Sequence, residues 1–212
     1  MKKALSNKTI EYVHIISGQD YLIGNNQDFS VLLSDRKAYM TCARLENTSA
    51  EVQNRYNKYH IALDGFDIRS RAYCRFDKLF CKIQKNKQRI GVFKLNQIYK
   101  GMVWCSLPID AVRYVNCYTR SIKGRFFMFD LRFCLIPEEI FFQTILMNSP
   151  FRERCVFDNR RYTVWACKNG SIPAILDITD YCTIKKGNYL FCRKVDSAIS
   201  KELIDALNSN TK

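Results

Sequence analysis

Runs of β-branched and aromatic residues alternate with helix-period segments along this 212-residue chain, and that alternation points to an α/β architecture. Ile10-Glu11-Tyr12-Val13-His14-Ile15-Ile16 reads as a buried strand that ends in a tight turn at Ser17-Gly18. Residues 4–8 read as the tail of a helix, 27–33 as a helix and 38–43 as a short strand. Residues 48–70 mix polar and aromatic side chains without a clean period and read as loop. Phe76, Leu79, Phe80 and Ile83 give residues 75–84 helical spacing, and Asn86-Lys87-Gln88 is a polar break. Residues 100–105 read as a strand entered through Gly101. Ser106 is placed to cap the next helix, with Pro108 in its first turn and an end near Tyr118.

Residues 121–124 then read as loop, 127–133 as strand or extended chain, and 161–165 as a strand. Residues 177–186 form a short helix that Gly187 stops, with Lys185 and Lys186 in the last turn. Residues 189–192 are another strand. Ile199, Leu203 and Leu207 mark an amphipathic helix started by Asp196 or Ser197.

Composition narrows the class. A hydrophobic fraction of 47% and an aromatic fraction of 13% support a packed core and exclude a disordered chain. No apolar run approaches the roughly 18 residues of a membrane span. Met1-Lys2-Lys3 leads into polar Ser6-Asn7-Lys8-Thr9, so no export signal is expected. The ten cysteines form no Cys-x-x-Cys, and only His14 and His60 accompany them. That pattern argues against zinc and for reduced thiols, mostly packed as small hydrophobes, in a cytoplasmic protein.

The balance of 34 basic against 20 acidic residues gives a net charge of +14. Such an excess suits polyanions, anionic lipid or phosphorylated ligands, but equally a plain solvated surface. Arg71-Ala72-Tyr73-Cys74-Arg75-Phe76 sets aromatics beside basics, as nucleic-acid binders do, yet no nucleic-acid motif is present.

The chemistry is concentrated in a few segments. Ile136-Pro137-Glu138-Glu139-Ile140-Phe141-Phe142 opens a helix with proline, whose missing N–H costs nothing there. The helix dipole then favours the ionised forms of Glu138 and Glu139. A fixed carboxylate of this kind suits a general base, and equally a simple helix stabiliser. Ser17, Gly18 and Asp20 lie at the C-terminal end of a strand, where α/β sheets bind ligands, and Gly18 is read as permitting a turn that a side chain would obstruct. Arg193-Lys194 is either an anion-binding pair or a solvated pair beside an edge strand. Trp165 offers an aromatic face for a sugar or a core side chain, and Trp104 reads as core.

Four blocks in order resemble the core-2/I-branching β-1,6-N-acetylglucosaminyltransferases, glycosyltransferase family fourteen, which includes the peptide O-xylosyltransferases. Ser17-Gly18-Gln19-Asp20-Tyr21-Leu22-Ile23 is similar to the family's Ser-Gly-x-Asp-x-Pro-Ile turn. The segment from Tyr99-Lys100-Gly101 to Val115 resembles its strand and helix around Trp-x-Ser-Leu. Pro137-Glu138-Glu139 through Asn148-Ser149-Pro150-Phe151 resembles its Pro-Asp-Glu helix. Leu190-Phe191-Cys192-Arg193-Lys194-Val195-Asp196 resembles its Leu-Phe-Ala-Arg-Lys-Phe-Asp.

The resemblance implies one glycosyltransferase domain over residues 1–212, with a GT-A-like Rossmann-type sheet and flanking helices. It implies an inverting transfer of N-acetylglucosamine or xylose from a UDP-sugar to a glycan or glycoconjugate hydroxyl, without metal; no Asp-x-Asp occurs in the chain. By motif position Glu139 is the base, and Glu138 and Trp165 lie on the acceptor side. Lys194 and Arg193, with Ser17, Gly18 and Asp20, lie on the donor side. Lys168 is the stand-in for a second diphosphate-binding cation.

Leu22 replaces the family's proline, and Ile136 removes a polar cap before Pro137, typically costing about 1 kcal/mol. Against the family pattern the chain begins after the first strand and helix of the uridine pocket. A bare sheet edge, self-association and weak donor affinity are therefore expected. The expected setting is bacterial and cytoplasmic, in surface polysaccharide synthesis with peripheral contact to anionic membrane; eukaryotic relatives are membrane-anchored Golgi enzymes. The alternative roles are a catalytically dead remnant serving as a binding partner and a basic nucleic-acid-binding protein.

Overall fold

In the computed structural model, which describes residues 2–61, 70–84 and 97–209, helices and short strands alternate in a mixed α/β chain. The chain forms two compact units. The first comprises Met1–Ile10, Thr41–Val103 and Ile109–Cys155, and the second Glu11–Met40, Trp104–Pro108 and Val156–Lys212.

The first unit is mainly helical. The helices Ile109–Arg120, Ile122–Leu131 and Glu138–Met147 carry its buried side chains, among them Val112, Val115, Phe127, Ile140, Ile145 and Leu146. Glu138–Met147 packs on Ile109–Arg120 and on the strand Tyr99–Lys100, which pairs antiparallel with Ala43–Arg44. Seven of the ten residues of Glu138–Met147 are buried, Gln143 and Thr144 among them. The Thr144 hydroxyl is matched inside: Oγ1 donates to the Tyr99 carbonyl at 3.0 Å and accepts from the Tyr99 N–H at 3.1 Å. Gln143 Nε2 donates to the Met102 carbonyl at 2.7 Å.

The second unit holds two sheets. One has the order Tyr12–His14, Ser106–Pro108, Ala38–Tyr39, Cys155–Val156, the last strand lying where the chain enters the unit. The other has the order Asp20–Leu22, Phe191–Arg193, Arg161–Thr163. Its first pair is antiparallel, with Asp20 opposite Arg193, and its second is parallel, with Thr163 opposite Arg193. Leu176, Ile184, Cys192, Leu203 and Leu207 form a core cluster, joining this sheet to the helices Tyr181–Lys186 and Lys201–Ser209. The helix Asn26–Asp35 begins with a reciprocal capping box between Asn25 and Asp28.

Several expected elements take other forms. Within residues 48–70, Ser49 accepts the Val52 N–H and starts a helix, Ala50–Asn57, whose one buried residue is Tyr56. Residues 62–69 of that stretch, and Asn86-Lys87-Gln88, lie outside the described residues. The helix expected from residue 75 begins at Arg71, capped by Ser70. The aromatic run 127–133 belongs mostly to the helix Ile122–Leu131, because Ser121 accepts the Gly124 N–H and Phe127 and Leu131 are buried one turn apart. A local cap and a helix-period buried pair outweigh the strand preference of phenylalanine.

Ser106 lies in a strand rather than at a cap, and its Oγ meets His14 Nδ1 at 2.8 Å. Residues 38–43 split between two sheets. Gly187 has φ of −90°, so it stops its helix without a left-handed turn; a Cβ there would meet the Tyr189 ring. All ten cysteines are free thiols, but only Cys105, Cys134 and Cys192 are buried, and Cys74, Cys117, Cys167 and Cys182 are exposed. No described helix is long and apolar enough to cross a membrane.

Candidate active site

The first cluster stands at the start of the helix Glu138–Met147. Pro137 precedes it with no side-chain cap, as Ile136 implied. The Gly101 N–H donates to the Glu139 carbonyl at 2.8 Å, drawing the segment after Tyr99–Lys100 tightly against the helix. No other residue fits at Gly101, because a Cβ there would penetrate the Thr41 carbonyl. That approach delivers Lys100, whose Nζ lies 3.0 Å from Glu139 Oε2. From the helix Ala50–Asn57, the Tyr56 hydroxyl donates to the same oxygen at 3.0 Å. The Glu139 side chain is 27% exposed.

Burial first, and then the neighbouring Glu139 carboxylate, push the Tyr56 phenol well above its ordinary range, so it stays a donor. Oε2 is therefore held by two donors, while Oε1 has no hydrogen-bond partner among the described residues. A carboxylate fixed at one oxygen and open at the other can accept a proton from a hydroxyl. Glu138 is exposed and lines a cavity of about 700 Å³ with Pro137, Phe141, Phe142, Met128 and Phe129.

The second cluster is in the other unit. Asp20 Oδ2 accepts from the Ser17 N–H at 2.5 Å and from the Ser17 hydroxyl at 2.6 Å, closing the Ser-Gly-x-Asp turn. Gly18 is not needed there on steric grounds: a Cβ would meet nothing within 4 Å. The Asp20 side chain is fully buried, with Oδ2 3.9 Å from Arg193 NH1. The Arg193 guanidinium stacks on the Trp104 ring at 3.3 Å, so half-buried Trp104 is an arginine platform rather than a core side chain.

Arg161, also buried, stacks on Phe191 at 4.8 Å and donates to the Ile15 carbonyl at 2.9 Å. Burial lowers the pKa of both arginines, and Arg193 lowers that of Arg161 further. Two guanidinium groups thus share one carboxylate. Among the described residues, Asp20 Oδ1 is a buried acceptor without a hydrogen-bond partner, and Arg193 Nε and NH1 and Arg161 Nε are buried donors without one. Such unmet donors are costly unless they serve an incoming anion.

Lys194 is half-buried, and its Nζ donates to Ser171 Oγ at 3.3 Å. It forms no ion pair with a carboxylate among the described residues. Lys168 does not stand free as a second cation for a diphosphate. Its Nζ donates to Asp177 Oδ1 at 2.9 Å, Thr179 Oγ1 at 2.8 Å and Asp180 Oδ2 at 2.7 Å. Trp165 is 59% exposed and so is not core.

The structure thus brings Ser17, Asp20 and Arg193 together, and sets Glu139 with Lys100 and Tyr56. Sequence reasoning missed Tyr56, Lys100 and Arg161 as partners. Lys100 lay inside a recognised block, and its charge beside Gly101 was the available signal.

A carboxylate anchored by a lysine and a tyrosine in one unit and a buried arginine cluster in the other are two polar sites of the chain, and comparison with known proteins gives its family. A model of the Core-2/I-Branching enzyme family matches residues 1–187, and the chain belongs to that family. It is similar to xylosyltransferase 1 of Rattus norvegicus, with 26% identity over 151 residues, 63% of this chain and 18% of that protein. Xylosyltransferase 1 of Homo sapiens is 26% identical over 150 residues, 62% of this chain and 16% of that protein. Xylosyltransferase 2 of Rattus norvegicus is 28% identical over 153 residues, 62% of this chain and 17% of that protein. The match spans less than a fifth of the length of these relatives.

Proposed function

We propose that this chain carries out an inverting sugar transfer from a UDP-sugar, with xylose or N-acetylglucosamine as the sugar, to a hydroxyl of a glycan or glycoconjugate. In this reading the acceptor oxygen attacks the anomeric carbon and gives its proton to Glu139 Oε1. The bond from that carbon to the diphosphate oxygen breaks, and UDP leaves with the electron pair. Lys100 and Tyr56 hold the carboxylate charged and aimed while the proton moves. Arg193 and Lys194 offset the charge gathering on the diphosphate, a task a metal performs in other transferases. Exposed Glu138 and Trp165 serve the acceptor. A Rossmann-type GT-A arrangement is part of the same reading, as is a role in surface polysaccharide at an anionic membrane face, to which a net charge of +14 is suited.

The observation that carries the proposal is the Glu139 carboxylate, anchored at one oxygen and open at the other. Calorimetric titration with UDP, UDP-xylose and UDP-N-acetylglucosamine, without added magnesium or manganese, is the direct test. Saturable binding that Lys194→Ala weakens, with turnover that Glu139→Gln abolishes, is the expected result. A folded chain that binds none of the three sinks the proposal.

A further inference from the structure

Outside both clusters, the first unit assembles a set of side chains that the transfer reaction does not use. His60 is only 4% exposed. Its Nε2 lies 2.9 Å from the Asn54 carbonyl oxygen, which can only accept, so Nε2 carries a hydrogen. That bond leaves Nδ1 as the lone-pair nitrogen of a neutral ring. Nδ1 faces both oxygens of Asp77, at 2.9 and 3.1 Å. A lone pair against a carboxylate is repulsive unless a cation lies between them, either a proton or a metal ion.

Cys81 decides between the two. It follows Asp77 by one turn on the helix Arg71–Ile83, and its Sγ lies 3.8 Å from His60 Nδ1 and 3.9 Å from Asp77 Oδ2. The three donor atoms lie within 4.8 Å of one another. A tetrahedral zinc ion with ordinary bonds to N, O and S sets its ligand atoms roughly 3.3–3.6 Å apart, so small shifts would admit it. Imidazole and thiolate together select zinc over magnesium or calcium. The Asn54 carbonyl supplies the outer bond that metal-binding histidines require.

We propose that His60 Nδ1, Asp77 and Cys81 form a zinc site that ties the helix Arg71–Ile83 to the turn following Ala50–Asn57, with water as the fourth ligand. Burial and Asp77 push the Cys81 thiol up while Lys58 pulls it down; a bound dication reverses that balance and holds the thiolate. A nucleophilic role fits the geometry less well. The acid and the thiol share one ring nitrogen, so Asp77 cannot orient the imidazole from its far side. None of these ligands belongs to the Glu139 or Arg193 cluster.

The test uses the whole chain, stripped with a chelator and then titrated with zinc and with cobalt. We expect about one tight equivalent, a zinc-dependent rise in melting temperature and a thiolate-to-cobalt charge-transfer band. Cys81→Ser and His60→Gln should lose the band and weaken binding about tenfold or more, whereas Cys74→Ser, on the same helix, should change neither. If those variants do not fold, alkylation of the wild-type chain decides: zinc should shield Cys81 while exposed Cys74 still reacts. A folded wild-type chain that takes up no metal overturns the proposal and leaves a proton between His60 and Asp77. A cobalt band that survives Cys81→Ser, or equal alkylation of Cys81 with and without zinc, overturns it as well.

Discussion

Lys100 Nζ and Glu139 Oε2 are 3.0 Å apart, a relationship built by Gly101 and secured by Tyr56 on the same oxygen. If Glu139 is the base, Glu139→Gln should abolish turnover while leaving UDP-sugar binding within about twofold, since loss of a positioned base typically costs 10²–10⁴ in rate. Tyr56→Phe and Lys100→Met each remove one anchor and should each lower kcat about tenfold with little change in donor KM. The pair is only partly buried, so its own contribution to stability is at most about 1 kcal/mol. Steady-state kinetics beside thermal melts separate the two effects.

The two glycines inside recognised motifs should behave oppositely. Gly101→Ala places a methyl group inside the Thr41 carbonyl, and backbone must move to admit it. We expect a loss of about 2–4 kcal/mol and a displaced Lys100. Gly18→Ala meets open space and should cost less than about 1 kcal/mol. Urea denaturation of both variants checks the contrast.

What could be read in the sequence depended on whether local rules carried the information. The Pro137 helix was legible because proline, two acids and an apolar run agree. Tyr56 was not: its helix has eight residues and one buried side chain, too short for a period to show. The Lys100–Glu139 pair follows from the approach at Gly101 and the Thr144 clamp on Tyr99, which are tertiary facts. Arg193 and Lys194 were visible as a pair, but Arg193 is the buried member because it faces Asp20 across the sheet. Lys168 looked free because Asp177 and Asp180 reach it only when the intervening loop folds back.

Lys168 should therefore prove a structural residue. Hydrogen bonds to Asp180 and Asp177 outweigh the burial that would lower its pKa, and the net shift is upward. Lys168→Met leaves two carboxylates facing one another, with Asp180 buried, and should destabilise the chain by about 1–3 kcal/mol. UDP affinity, measured below the melting transition, should stay within about twofold. A large loss of affinity in a fully folded variant would return Lys168 to the donor side.

His14 sets a pH limit on the second unit. Burial, and then the charge of Arg161, lower its pKa from 6.5 to about 4. The unfolded chain takes up a proton near pH 6.5, whereas the native ring stays neutral until about pH 4. This contribution to stability is thus complete above pH 6.5, falls as pH drops through that window and levels off below it. The loss is at most about 3 kcal/mol. Denaturant midpoints at stepped pH should fall across the window in the wild type and flatten in His14→Gln.

Trp104 should report the arrival of a donor. Its ring covers the Arg193 guanidinium, and Arg193 Nε and NH1 are closed to solvent and have no hydrogen-bond partner among the described residues. An anion can reach those buried donors only if the side chains around them, the Trp104 ring among them, move aside. UDP should therefore change the intrinsic tryptophan fluorescence in a saturable way. Trp104→Phe should remove most of that change, while Trp165→Phe should keep it. Arg193→Met retains much of the stem that packs on Trp104 but removes the charge, and should weaken UDP binding about tenfold or more at low salt. A fluorescence change that persists undiminished in Trp104→Phe would place the diphosphate away from Arg193 and leave Lys194 as the donor-side cation.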